Sequence, residues 1–205
     1  MSAVGGKADI TRMHCNVTGK RPLLLVMPNW LGVTENAIQR APKMAGDKYV
    51  AFVGCMYGEG KTCEGPPTSQ EWMMAVQADP VEGRKRVNAA LATMVVEADK
   101  RGIGTGSRKA AVGFCFGGGN VLELARSGAD LDAVVCLHGH LRTTMLAKKG
   151  DIKAAVFVIH GTKDPVAPKG RPRHAGGRDG RRRRLRRAPT FVFRGRNNDK
   201  RHRRV

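Results

Sequence analysis

The sequence contains no apolar run long enough to cross a membrane. Its longest apolar stretch, residues 22–33, is interrupted by Asn29 and Gly32. A spanning helix needs roughly 20 consecutive apolar residues, so this stretch is too short. The first residues also lack the pattern of a secretory signal peptide. We therefore expect a cytoplasmic protein with no membrane partner.

The cysteines do not form the even, regularly spaced set of a disulfide framework. An odd number and irregular spacing favour a reducing compartment. Two of them, Cys55 and Cys63, have only Glu64 nearby as a further ligand type, which predicts loop thiols rather than a metal site. No motif for a metal or an organic cofactor is present, and we expect none to be needed. The five cysteines are at positions 15, 55, 63, 115 and 136.

Acidic residues are scarce where basic residues are densest. Residues 169–205 contain 16 Lys and Arg but only 2 Asp, a net charge of +14, which leaves +6 for residues 1–168. From Gly170 onward the apolar periodicity stops, and a segment with so little apolar surface cannot fold by itself. We predict one folded domain over residues 1–168 and a disordered or aberrant Arg-rich tail over residues 169–205.

Two interpretations of this tail remain open. Its Arg-, Gly- and Pro-rich composition is typical of a GC-rich coding region translated in the wrong frame, which is our leading hypothesis. Alternatively, it is a genuine basic tail that binds nucleic acid or another polyanion without sequence specificity.

The segment at residues 109–120 contains the most specific pattern in the chain. Apolar residues 110–114 predict a buried strand, Cys115 follows at a sharp turn, and residues 120–126 predict a helix that ends before Gly128. This G-x-C-x-G arrangement is typical of a nucleophile elbow. Gly113 and Gly117 leave room for the turn, and a helix N-terminus favours a thiolate at Cys115. The alternative, a buried cysteine in a dinucleotide-binding fold, is disfavoured because G-x-G-x-x-G is absent.

Strands alternate with helices along the rest of the domain, which predicts an α/β fold with a mostly parallel sheet. Ser69 is the predicted cap of a short helix, and Asp79 with Glu82 predicts a strong helix start. On that second helix we expect Arg84, Lys85 and Arg86 to form a solvated face rather than an anion site. The predicted strands are residues 21–27, 49–53, 110–114, 132–137 and 154–159, and the predicted helices are residues 34–46, 69–78, 79–102 and 120–126.

Three separated motifs together resemble the dienelactone hydrolase family, the cysteine-nucleophile branch of the α/β hydrolases. They are Gly-Phe-Cys-Phe-Gly-Gly-Gly at residues 113–119, Pro-Asn-Trp-Leu-Gly at 28–32 and His-Gly-Thr-Lys-Asp-Pro-Val at 160–166. The resemblance covers about residues 20–168. It implies an α/β-hydrolase-type sheet flanked by helices and hydrolysis of small esters or lactones through an acyl-cysteine intermediate. The C-terminal part of that fold is then incomplete.

The resemblance also implies roles for individual residues. Cys115 is the nucleophile and Asp164 the acid that orients a histidine, in the chain order of α/β hydrolases. By analogy, the backbone N–H groups of Trp30 and Phe116 form the oxyanion hole. Asn29 occupies the position of a glutamate that holds the resting thiol in well-known members, and an amide cannot accept that proton.

The base histidine is the part that we cannot identify. Family members carry it in a Gly-His-x-Phe segment downstream of the aspartate, and no such segment follows Asp164. His174 and His202 lie among the basic residues of the tail. His138 and His140, after a predicted strand, either approach the substrate or serve only as surface groups. We therefore predict impaired turnover, and the alternative is an inactive homologue that acts through its basic tail.

Overall fold

The computed structural model describes residues 10–14 and 20–161 of the chain. Within these residues one sheet has the strand order β1-β3-β2-β4-β5-β6. The strands are β1 (Ile10–His14), β2 (Arg21–Met27), β3 (Val50–Gly54), β4 (Gly104–Phe114), β5 (Ala133–Leu137) and β6 (Ala155–Ile159). The helices are α1 (Glu35–Ala45), α2 (Thr68–Ala78), α3 (Pro80–Lys100) and α4 (Phe116–Arg126).

The sheet is parallel except at β1, which pairs with β3 in the antiparallel direction. Strands β2 and β4 lie side by side at its centre, with Met27 paired to Gly113 at their carboxyl ends. All five residues of β3 are buried, so both faces of that strand are covered. Continuous apolar runs are the expected sequence of such strands. The predicted α/β fold with a mostly parallel sheet is confirmed.

The amphipathic stripe of α3 forms a large part of the core. Its buried side chains follow helical spacing, and the helix packs against β2, β4 and α4. On the sheet, Leu23, Leu25 and Phe52 are completely buried. The buried residues of α3 are Val87, Ala90, Leu91, Met94 and Ala98.

Of the four predicted helix starts, two are confirmed and two are wrong. Thr34 accepts a hydrogen bond from the Ala37 N–H at 3.3 Å, and Asp79 accepts one from the Glu82 N–H at 3.0 Å. Ser69, the predicted cap, instead lies fully buried inside α2, which begins at Thr68. Its N–H already donates to the Gly65 carbonyl at 3.1 Å, so its backbone has entered the turn and cannot act as a cap.

The helix after the turn begins at Phe116, not at residue 120 as predicted. The three glycines therefore form its first turn. Glycine is a poor helix former, but tertiary packing overrides that preference here.

The predicted tail at residues 169–205 and the boundary at residue 168 lie outside the described residues. None of the helices in the described ranges is both long and apolar enough to cross a membrane.

Candidate active site

Cys115 lies in a strained turn between β4 and α4. Its φ of 52° and ψ of −116° place a non-glycine residue in a region that L-amino acids rarely adopt. The Cys115 N–H donates to the Leu137 carbonyl of the neighbouring strand at 3.0 Å, which fixes the turn to the edge of the sheet. Strain of this kind persists only where the surrounding structure enforces it, and it is frequent at active sites.

Glycines enforce this turn by close backbone contact. A Cβ at Gly113 would overlap the carbonyl of Gly117 and the nitrogen of Gly118. A Cβ at Gly117 would overlap the carbonyl oxygens of Met27 and Pro28. Because these neighbours are backbone atoms, they cannot move aside as a flexible side chain can. The start of α4 therefore packs directly against the end of β2, where the 28–32 motif begins.

The loop after β2 brings the Trp30 backbone to the same edge of the sheet. The Asn29 side chain accepts a hydrogen bond from the Leu31 N–H at 3.0 Å, so this amide organises its own loop. Among residues 20–161 the Trp30 N–H meets no hydrogen-bond acceptor. The Phe116 N–H is the first of α4 and has no acceptor within the helix. Both of these N–H groups can serve an oxyanion.

A cavity of about 660 Å³ opens beside Cys115. Its volume suits a small organic substrate. The wall formed by α2 and the start of α3 includes the apolar residues Met73, Val76 and Pro80, together with the polar residues Gln77 and Arg84. The opposite wall is formed by α4 and the loop after β5. Its polar residues include Asn120, Glu123, His138, His140, Arg142 and Thr143.

His138 and His140 both line this cavity, and both side chains are exposed. The sequence left their role open between substrate approach and surface, and the structure places them on the wall that contains Cys115. His138 has a φ of 44°, and its N–H donates to the Ile159 carbonyl at 2.7 Å. His138 thus adopts an unfavourable backbone conformation directly after β5, beside the turn at Cys115.

The predicted solvated arginine face is wrong for Arg84 and Arg86, which are half-buried, while Lys85 is exposed. Arg84 donates to the Glu123 carboxylate and, at 2.8 Å, to the Met145 carbonyl. Arg86 donates to the Met56 carbonyl at 3.1 Å. These contacts join residues far apart in the chain, so helical spacing alone could not reveal them.

Glu123 is the centre of an ionic cluster on the cavity wall. Besides Arg84, its carboxylate accepts a hydrogen bond from Arg126 at 2.7 Å, and Arg126 also donates to the Leu141 carbonyl at 2.9 Å. Burial alone would raise the pKa of Glu123, but hydrogen bonds from Arg84, Thr143 and Arg126 outweigh burial and lower it. The cluster fixes the loop after β5 to α3 and α4.

The other described thiols occupy different environments. Burial raises the pKa of both Cys55 and Cys136. Cys63 is partly exposed, and its Sγ lies 3.8 Å from the Leu31 carbonyl. Among the described thiols, Cys115 alone lines the 660 Å³ cavity.

The described residues bring together Cys115, Phe116 and the Trp30 loop at one edge of the sheet. Asp164, His174 and His202 lie outside the described residues. Asn120 was not singled out as a site residue from the sequence, yet its side-chain nitrogen is buried on the cavity wall without a hydrogen-bond partner among the described residues. In the sequence, its position one helical turn after Phe116 on the helix that follows Cys115 was the signal that could have identified it.

Several solved structures are similar to the chain. A protein named m3DLH is 35% identical over 75% of this chain and 62% of its own, with a TM-score of 0.67. A dienelactone hydrolase-like promiscuous phosphotriesterase from metagenomic libraries is 34% identical over 74% of this chain and 61% of its own, with a TM-score of 0.66. The chain thus spans about three fifths of the length of these relatives.

A more distant structure supports the fold alone. A protein from Klebsiella pneumoniae subsp. pneumoniae MGH 78578, assigned to the dienelactone hydrolases, is 24% identical over 75% of this chain and 66% of its own, with a TM-score of 0.60. No curated protein matches the sequence significantly. The family match itself covers residues 11–175. With its elbow, its sheet order and this match, the chain belongs to the dienelactone hydrolase family.

Proposed function

We propose that the chain transfers the acyl group of small esters or lactones to Cys115 and hydrolyses the resulting acyl-cysteine slowly. The observation that carries this proposal is the position of Cys115, in a strained turn at the N-terminus of α4 and on the wall of a 660 Å³ cavity. Membership of a hydrolase family supports the same chemistry.

In the first step the Cys115 thiolate attacks the carbonyl carbon, and a C–S bond forms while the carbonyl electrons move to oxygen. The N–H groups of Trp30 and Phe116 are suited to hold that oxyanion, because neither has an acceptor within the described part of the protein. Collapse of the intermediate breaks the ester C–O bond and releases the alcohol oxygen, which takes a proton from water. An acyl-cysteine remains.

The second step needs a base to activate water against the acyl-cysteine. In the family this is a histidine oriented by the aspartate that Asp164 matches, and the sequence after Asp164 contains no Gly-His-x-Phe segment. General acid–base catalysis contributes roughly 10²–10⁴-fold. We therefore propose that acylation is retained for activated esters and that deacylation limits turnover.

Pre-steady-state hydrolysis of p-nitrophenyl acetate tests this proposal. Its leaving group needs no proton donor, so we expect a burst of about one equivalent of p-nitrophenolate per chain, followed by a very slow steady rate. Cys115→Ala should abolish the burst, whereas Cys63→Ala, a control at another partly exposed thiol, should retain it. A burst that survives in Cys115→Ala would refute the proposal.

Turnover of an unactivated lactone separates impaired from complete catalysis. The chain should show little turnover, and replacing residues 170–205 with a family C-terminus that carries the Gly-His-x-Phe segment should restore it. Efficient multiple turnover by the unchanged chain would contradict impaired deacylation. It would direct attention to His138 and His140, which line the cavity.

A further inference from the structure

Tyr57 is buried behind the loop that contains Trp30. It follows β3 by three residues and is 7% exposed. Its hydroxyl donates a hydrogen bond to the Trp30 carbonyl at 2.8 Å. From this contact and those below, we infer that Tyr57 is a positioning residue that sets the geometry of the oxyanion hole. The inference rests on the proposed function, since an oxyanion forms only during acyl transfer.

The peptide unit between Trp30 and Leu31 is held at both ends. Tyr57 binds its carbonyl oxygen, and the Asn29 side chain accepts its N–H at 3.0 Å. Only the two backbone torsions of Trp30 then separate this fixed unit from the preceding one, which carries the Trp30 N–H. Fixing the one unit therefore restricts the direction of the proposed oxyanion donor in the other.

The same side chain also contacts the second proposed donor residue. The Tyr57 ring stacks on the Phe116 ring, with centroids 5.9 Å apart and planes 8° from parallel. Its other neighbour is Trp72 of α2, in an edge-to-face contact at 5.3 Å. One side chain thus contacts both residues whose N–H groups would hold the oxyanion, Trp30 through its hydroxyl and Phe116 through its ring. Aromatic contacts of this geometry are favourable beyond the apolar area that they bury.

Tyr57 remains a hydrogen-bond donor over the pH range of an esterase assay. Burial, followed by the nearby thiols Cys63, Cys55 and Cys115, raises its pKa above that of a free tyrosine. The hydroxyl therefore stays protonated. The bond to the Trp30 carbonyl is kept wherever Cys115 is active as a thiolate.

Tyr57→Phe tests this role because it removes the hydroxyl and leaves the ring stacks. Misplacing a donor in an oxyanion hole lowers the rate of acyl transfer. We expect the rate of the p-nitrophenyl acetate burst to fall about 10-fold while its amplitude stays near one equivalent. Tyr49→Phe is the matched control, since Tyr49 is the other tyrosine of the sequence, and it should leave the rate unchanged.

Alkylation by iodoacetamide distinguishes a role at the oxyanion hole from a general structural role of Tyr57. Alkylation displaces iodide at a saturated carbon and forms no oxyanion, so the rate at Cys115 should change less than about 2-fold in Tyr57→Phe. An unchanged burst rate, or equal losses in burst and alkylation rates, would overturn the inference. Failure of the proposed function is distinguishable, because the burst would then persist in Cys115→Ala.

Discussion

Gly117→Ala is the substitution for which the structure makes the sharpest quantitative prediction. The new Cβ would overlap the carbonyl oxygens of Met27 and Pro28, at the carboxyl end of β2. Gly119, two residues along α4, is the matched control. There a new Cβ would lie 3.4 Å from the His140 carbonyl oxygen, close to ordinary contact.

The two variants share the gain in helix propensity from glycine to alanine and differ in the cost of overpacking. In a helix, alanine is more favourable than glycine by about 1 kcal/mol at either position. Overpacking typically costs about 1–3 kcal/mol, and the rigid backbone around Gly117 favours a cost of about 3 kcal/mol. We expect Gly117→Ala to lower the free energy of unfolding by about 2 kcal/mol. Gly119→Ala should leave it unchanged or raise it by up to about 1 kcal/mol.

Thermal unfolding followed by circular dichroism measures this difference. For a chain of this length 1 kcal/mol shifts Tm by about 2–4 °C, so Gly117→Ala should lower Tm by about 4–8 °C. The burst with p-nitrophenyl acetate should also slow, because α4 and the Trp30 loop must move apart. Equal Tm values for Gly117→Ala and the unchanged chain would refute the close packing of α4 on β2.

Iodoacetamide at neutral pH should label Cys115 before Cys55 and Cys136, because burial raises the pKa of the latter two. Peptide mapping would show the order of labelling. Faster labelling of another thiol would count against Cys115 as the nucleophile. Glu123→Gln should lower the free energy of unfolding at pH 7 by about 1–3 kcal/mol, since it removes a charged partner from two arginines. Because the pKa of Glu123 is lowered in the folded state, its stabilisation is complete above its ordinary value of 4.5 and is lost as pH falls below it, so urea titrations of the two chains should converge there. Deleting residues 170–205 should abolish a weak, steeply salt-dependent binding of nucleic acid, measured by fluorescence anisotropy, and retained binding would place the basic site in the domain.

Local patterns in the sequence predict most of the described fold. Aliphatic runs such as residues 23–27 give the parallel strands, because burial on both faces leaves no polar alternation. Asp79 predicts the start of α3 since its carboxylate accepts a nearby N–H, which is a contact over three residues. The elbow is equally local, and Cys115 occupies the strained turn that its glycines predict.

The parts of the site that the sequence does not reveal depend on contacts between distant residues. Arg84 and Glu123 meet across 39 positions, and Tyr57 reaches Trp30 across 27. Nothing in the spacing around Arg84 distinguishes a buried ionic contact from a solvated helix face. Ser69 shows the same limit at short range, since a serine near a helix start is a cap only if its backbone stays outside the helix.

The pairing of Met27 with Gly113 has a consequence for how this chain can evolve. The nucleophile follows one strand and the Trp30 loop follows its neighbour, so their separation is set by the relative alignment of β2 and β4. A shift by two residues preserves which side chains face the core, yet it moves the strands by about 6.6 Å relative to each other. In the observed alignment Leu25 pairs with Ala111 and both residues are buried, so a shifted alignment would have to repack the core around them. Substitutions deep in the interior can therefore change reactivity without altering any residue that a substrate touches.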